Sequence, residues 1–208
     1  MTDGRTERAK AAREQRELQI LEAALQVFAA RGYHGTSVSD LVDAAGVARG
    51  TFYLYFDSKQ AVFLALLERL LVAIRGAVLG VDTRPGAGPL AEQVVAILRA
   101  FLTTAAGSRA LTAIVFREAV VLDATVQERV REHEDAFLAW IAGSLHNGVR
   151  LGLLRPHDPD LVAVLIYGAV RHVLERCLND HTTAVDIDRL ARGMVDHHLH
   201  GLLPPVKA

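Results

Sequence analysis

A single cysteine, Cys177, in a chain of 208 residues leaves no partner for an intrachain disulfide and argues against a thiolate zinc site, which suits a reducing compartment. Aromatic residues are scarce at 6%, so the core must be built mainly from the aliphatic side chains that dominate the 51% hydrophobic fraction. No long hydrophobic run is present. The longest, Leu161 to Val170, would rise only about 15 Å as a helix, half of a bilayer core. The opening MTDGRTERAK leads into no apolar stretch before Leu18, so no signal peptide is expected. The chain reads as soluble and cytoplasmic, with no membrane partner. Net charge is also nearly absent, at a formal −1. Within residues 1–60, Arg5, Arg8, Lys10, Arg13, Arg16, Arg31, Arg49 and Lys59 are matched by eight Asp or Glu, so bulk electrostatics announce no polyanion. Catalytic signatures are missing too: there is no Gly-x-Ser-x-Gly elbow, phosphate loop or His-Glu-x-x-His. Neither an enzyme nor a cofactor is expected.

What is present is concentrated between Gly32 and Lys59. Ser37 and Asp40 have capping-box spacing, which predicts a helix with Val38, Leu41, Val42 and Ala45 on its buried side. Gly46 supplies the left-handed stop, and Val47 plugs the angle to a second helix, predicted over Arg49 to Phe56. Phe52 and Phe56 lie four apart and face inward, turning Arg49, Gly50, Thr51, Tyr53, Leu54 and Tyr55 outward. A helix pair of this kind can present its second member to a DNA major groove.

The run Gly35-Thr36-Ser37, Leu41-Val42, Ala45-Gly46-Val47 and Gly50-Thr51-Phe52-Tyr53-Leu54-Tyr55-Phe56, closing on Lys59, resembles the N-terminal domain of TetR-type transcriptional regulators. The resemblance covers the first third of the chain. It implies a homodimer that binds a palindromic double-stranded DNA operator and releases it on binding a small effector, usually as a repressor. Carried over residue by residue, the DNA-binding set is Thr36, Ser37, Ser39, Arg49, Gly50, Thr51, Tyr53, Tyr55 and Lys59. Two positions depart from the pattern. Ala48 stands where a capping serine is common and should cost the recognition helix about 1 kcal/mol. Ser39 stands where a basic residue is frequent, which weakens one contact.

The expected fold is all-α, with a three-helix helix-turn-helix domain over residues 1–59, preceded by a basic arm, and a larger helical ligand-binding and dimerisation domain over 60–208. A first helix from about residue 14 to Arg31 carries Leu18, Leu21, Leu25 and Phe28 at helical spacing. After an Asp57-Ser58 cap, Val62, Leu66, Leu70, Ile74 and Val78 mark a long linking helix, and 80–89 is a glycine- and proline-rich loop. Further helices are predicted over Leu90–Ala106, Arg109–Leu122, Thr125–Leu151, Pro159–Asp180 and Asp186–Leu203.

The last two helices are candidates for the dimer interface, through Leu161, Leu165, Gly168 and His172 on one and Ile187, Leu190, Met194 and Leu202 on the other. Polar groups among bulky apolar ones nominate Phe101, Arg117, His133, Phe137, Trp140, Tyr167 and Arg171, with Ser144, for a ligand pocket. The aliphatic excess favours an apolar or amphipathic effector. His197, His198 and His200 invite a metal reading, but a stable site wants three or four preorganised ligands, and no metal is expected. The alternative from another class is a helical small-molecule-binding or adaptor protein in which the helix-turn-helix is only scaffold.

Overall fold

The computed structural model describes residues 3–78, 80–118, 124–179 and 186–202, with side chains described except at 3, 5, 114–118, 178–179 and 200–202. The described residues form helices and loops without a strand: α1 (Asp3–Arg31), α2 (Val38–Ala45), α3 (Arg49–Tyr53), α4 (Lys59–Ala77), α5 (Leu90–Gly107), α6 (Arg109–Glu118), α7 (Ala124–Arg150), α8 (Pro159–Asn179) and α9 (Ile187–Leu202). They divide into two compact units, one of residues 1–71 with 110–127, the other of 72–109 with 128–208.

In the first unit, α1 ends where Gly32 turns left-handed at φ 71° and its amide bonds the Phe28 carbonyl at 2.9 Å. The capping box of α2 is complete. Ser37 Oγ accepts from the Asp40 amide at 3.2 Å while Asp40 Oδ2 accepts from the Ser37 amide at 2.8 Å. Gly46, at φ 61°, closes the helix. The core gathers Ile20, Leu21, Ala24 and Phe28 from α1, Leu41 and Val42 from α2, Phe52, Phe56, and Val62, Phe63, Leu66 and Leu67 from α4. Phe28, Tyr33 and Phe63 meet edge-on or tilted with centroids 5.2–5.9 Å apart, within the favoured range for such pairs.

Two boundaries differ from expectation. α1 starts at Asp3 rather than near residue 14, so the basic arm is itself helical. Its Ala, Arg, Glu and Lys residues carry high helix propensity although they have no apolar stripe, and Lys10 pairs with Glu14 one turn on. α3 spans only five residues and gives way to a turn at Leu54 and Tyr55, although Phe56 still bonds the Phe52 carbonyl at 3.0 Å.

In the second unit, α5 packs along α9 and meets α8. Arg99 pairs with Asp188, and Arg192 lies 3.3 Å from Glu92, so ion pairs also tie α5 to α9. Ile141 and Leu145 of α7, Leu154 of the α7–α8 connection and Ala163 of α8 form a buried cluster, with Phe137, Ile166, Tyr167 and Leu199 against it. The loop before α5 is held by Gln93, whose side chain bonds the Asp82 amide at 2.7 Å and the Gly88 carbonyl at 2.7 Å. α7 stops at Gly152, φ 70°, where the Leu153 amide returns to the Gly148 carbonyl. Asp158 caps α8 through the amides of Asp160 and Leu161, with Pro159 in the first turn. By length and composition α5 could cross a membrane. It packs on α8 and α9, with Val95, Leu102 and Ala105 buried.

Candidate functional site

The first unit places the nine nominated DNA-binding residues in two groups. Arg49, Gly50 and Tyr53 are exposed on α3, Ser39 is exposed on α2, and Thr51 and Tyr55 are half-buried. An added Cβ at Gly50 would meet nothing within 4 Å, so that point of α3 is open to a close-approaching surface. Ala48 adopts the extended N-cap conformation but offers no side-chain bond. Leu54, 73% exposed, stands at the tip beside Tyr53. The Arg49 guanidinium lies 5.9 Å from the Tyr53 ring centroid, and Arg13 of α1 lies 5.7 Å from that of Tyr55.

The remaining three are engaged within the fold. Thr36 is buried and donates to the Gly32 carbonyl at 2.7 Å. Ser37 caps α2. Lys59 donates to the carbonyls of Tyr33 and Thr36, both at 2.8 Å, and sits over the Tyr33 ring at 4.4 Å. Its ammonium thereby fastens the start of α4 to the α1–α2 connection, with one of three donors left over. Asp40 is held below the usual carboxylate range by the Ser37 hydroxyl first, then the Ser37 amide, with Arg31 adding attraction.

The second unit contains a cavity of about 510 Å³, a volume typical of small-molecule sites. Its walls come from Val78, Gly80, Val81 and Thr83, from α5, α7, α8 and α9, and from Leu151, Leu153 and Leu154 after α7. Of the nominated pocket residues, Phe101, Phe137, Trp140, Ser144 and Tyr167 line it. Their rings form a continuous wall: Phe101 stacks on Phe137 at 5.8 Å, Phe137 on Trp140 at 5.6 Å, and Tyr167 meets Phe137 edge-on at 6.1 Å. His133 and Arg171 are not in the lining, and the Arg117 side chain falls outside the described residues. Sequence reasoning missed the aliphatic contribution of α5 (Val94, Ile97, Leu98), the rim residues Asn147 and Arg150, and Met194 and His198 of α9. The stripe Phe137, Trp140 and Ser144 was legible at helical spacing; the contribution of α9, so distant in sequence, carried no local signal.

Arg171 instead acts behind the wall. Tyr167 Oη donates to Glu134 Oε1 at 2.7 Å and Arg171 Nη1 donates to the same oxygen at 2.7 Å, which locks α7 to α8. Burial raises the Tyr167 phenol above its ordinary range, and the Glu134 carboxylate beside it adds to the shift.

The sequence matches the model for bacterial regulatory proteins of the tetR family over residues 20–66 and that for the tetracyclin repressor-like C-terminal domain over 87–175. The chain belongs to the TetR family. A fatty acid metabolism regulator protein of Bacillus subtilis is 26% identical over 155 residues, 74% of this chain and 78% of that protein. The fatty acid degradation regulator FadR of Bacillus halodurans is 27% identical and covers 89% of this chain and 95% of its own, with a TM-score of 0.71. Transcriptional regulator FadR of Bacillus subtilis, solved in complex with stearoyl-CoA, is 25% identical, covers 88% and 98%, and has a TM-score of 0.72.

As a TetR-family member the chain is a ligand-responsive, DNA-binding transcriptional regulator, and the scaffold-only alternative is not favoured. Its α8 presents an apolar row to solvent: Leu161, Val164 and Leu165 are 54–58% exposed, in line with Gly168 and His172. The α9 stripe turns the other way, since Met194 lines the cavity and Ile187 and Leu190 are half-buried; Leu202 falls outside the described side chains. His197 and His198 meet edge-on at 5.4 Å and His198 Nδ1 bonds the Met194 carbonyl at 2.7 Å, while the His200 side chain is not described. Among the described residues no group of three or more ligating side chains could hold a metal ion.

Proposed function

We propose that this TetR-family protein is a cytoplasmic homodimeric repressor, without enzymatic activity, whose residues 1–59 read a palindromic operator and whose residues 60–208 dimerise and bind an effector. The observation that carries the reading is α3 itself, a short helix beginning with exposed Arg49 and Gly50 and ending with exposed Tyr53. Arg49 reaches a guanine edge or a phosphate. Thr51, Tyr53 and Tyr55 contact backbone or bases, and Ser39 adds a contact from α2. Thr36, Ser37 and Lys59 serve mainly by fixing how α2 and α4 hold α3. A two-fold dimer, formed through the exposed row of α8, sets the two heads about one turn of DNA apart, ~34 Å.

The effector we place in the cavity of the second unit, with Phe101, Phe137, Trp140 and Tyr167 as its aromatic wall and Arg171 bracing that wall from behind. The lining is predominantly aliphatic and aromatic, which suits a long apolar chain. The regulators named for fatty acid metabolism and degradation, and the stearoyl-CoA complex, point the same way. Release of DNA then follows from population shift: the effector favours a head spacing that the operator does not fit, by as much as its affinities for the two states differ.

Selection of bound fragments from a random duplex pool, with wild type beside an Arg49→Ala, Tyr53→Ala double variant, tests this. An inverted repeat enriched by the wild type alone is expected. Equal enrichment by both proteins would remove α3 as the reader, and enrichment of a single unrepeated site would remove the dimer.

A further inference from the structure

The cavity is nearly free of charge, and the distribution of its few polar groups is uneven. Among the described residues lining it there is no Asp, Glu or Lys, and Arg150 is the only arginine. The half-buried polar side chains of the lining are already engaged: Tyr167 donates its hydroxyl proton to Glu134, and His198 Nδ1 faces the Met194 carbonyl. Ser144, which donates to the Trp140 carbonyl at 2.9 Å, and Thr83 are exposed. An anion placed against the buried walls of Ile141, Leu145, Val170 and Val195 would lose its hydration without a partner of opposite charge, a penalty on the order of several kcal/mol in such surroundings.

Arg150 is different in position and in freedom. It lies in the last turn of α7, exposed, next to exposed Leu151, whereas Ile141, Leu145, Val170 and Val195 of the same cavity are buried. No carboxylate pairs with it among the described residues. Its one side-chain contact is Asn147 Oδ1 at 3.4 Å, which is weak. With Oδ1 turned to Arg150, the Asn147 amide group adds a donor at the same edge. A cation in the last turn of a helix does favour the helix dipole, but that holds on any side of α7, and this one lies on the cavity.

We infer that the cavity selects an amphiphile with a single anionic head, gripped at the rim by Arg150 with Asn147, while its apolar body runs inward along the Phe137 wall. This rests on the effector reading given above and narrows it: neutral chains bind without an anchor, and cationic amphiphiles are disfavoured.

Trp140, the only tryptophan in the chain, edges the cavity at 41% exposure and reports its occupancy. Full-length wild type, Arg150→Gln and Arg150→Lys are titrated with dodecanoate, dodecanol and dodecylammonium below their aggregation thresholds, following Trp140 emission. Wild type should bind the carboxylate about tenfold more tightly than the alcohol, and the ammonium weakest. In Arg150→Gln that preference should fall to about twofold or less with alcohol affinity unchanged, and Arg150→Lys should keep part of it. Equal affinity of wild type for carboxylate and alcohol, or a preference that survives Arg150→Gln, overturns the inference while leaving an effector cavity in place. Should Arg150→Gln bind nothing, the lysine variant decides: preference retained supports the anchor, preference lost refutes it. Wild type that binds none of the three probes removes the effector reading itself and this inference with it.

Discussion

The ammonium of Lys59 stands 4.4 Å from the centroid of the Tyr33 ring and donates to the Tyr33 carbonyl at 2.8 Å, with a second bond to Thr36. A residue whose type suggests a phosphate anchor thus holds α4 onto the turn before α2. Lys59→Met keeps the length of the side chain and removes the charge. Denaturant unfolding should show a loss of about 2 kcal/mol, the scale of charge-assisted hydrogen bonds. Unchanged stability with weakened DNA binding would return Lys59 to the phosphate role.

Ala48 has the backbone of an N-cap, φ −66° and ψ 146°, but lacks the acceptor. Ala48→Ser provides one without a backbone change at an exposed position. It should stabilise the first unit by about 1 kcal/mol, readable as increased amide protection at Gly50 and Thr51.

Asp40 links pH to the same unit. Its folded pKa lies below the unfolded one because the carboxylate accepts from the Ser37 hydroxyl and amide and faces Arg31. The stability it contributes is therefore present above the unfolded carboxylate pKa and is lost as pH falls through the folded value. Asp40→Asn should unfold with a weaker dependence on pH across the acid range than wild type. Parallel acid-unfolding profiles for the two proteins would show that the capping carboxylate does not supply that dependence.

On α8, Leu165 is 58% exposed in the single chain. Leu165→Glu should leave helicity and dodecanoate binding intact while weakening the dimer by about 100-fold or more, since a two-fold axis buries the new charge in both copies. Sedimentation at micromolar concentration separates the outcomes, and an unaltered dimer would move the interface elsewhere.

How much could be read from the sequence depended on how local each cause was. Ser37, Asp40 and Gly46 act within one turn, and both ends of α2 follow from them directly. The end of α3 was not legible: Phe52 and Phe56 at i, i+4 spacing suit a helix that runs on to Phe56, and both are buried, yet the helix ends at Tyr53 and no local residue marks that end. The arm was misjudged for the opposite reason: helix propensity without an apolar stripe leaves periodicity silent, yet α1 runs from Asp3. In the cavity, Phe137, Trp140 and Tyr167 were legible as large rings at helical spacing. Arg150, Met194 and His198 were not, since each becomes part of a wall only when distant helices pack.

The stop of α7 at Gly152 also fixes how the cavity can be retuned. Trp140, Ser144, Asn147 and Leu151 share one stripe that ends at this glycine. Gly148 is pressed so closely against Leu154 that an added Cβ would lie 2.7 Å from its Cδ1. Inserting or deleting one residue between Trp140 and Arg150 would rotate one against the other by about 100°, carrying either the ring or the guanidinium off the wall. Variants of this chain that recognise longer or shorter molecules should therefore differ in the size of side chains at fixed positions, with the residue count of α7 held constant.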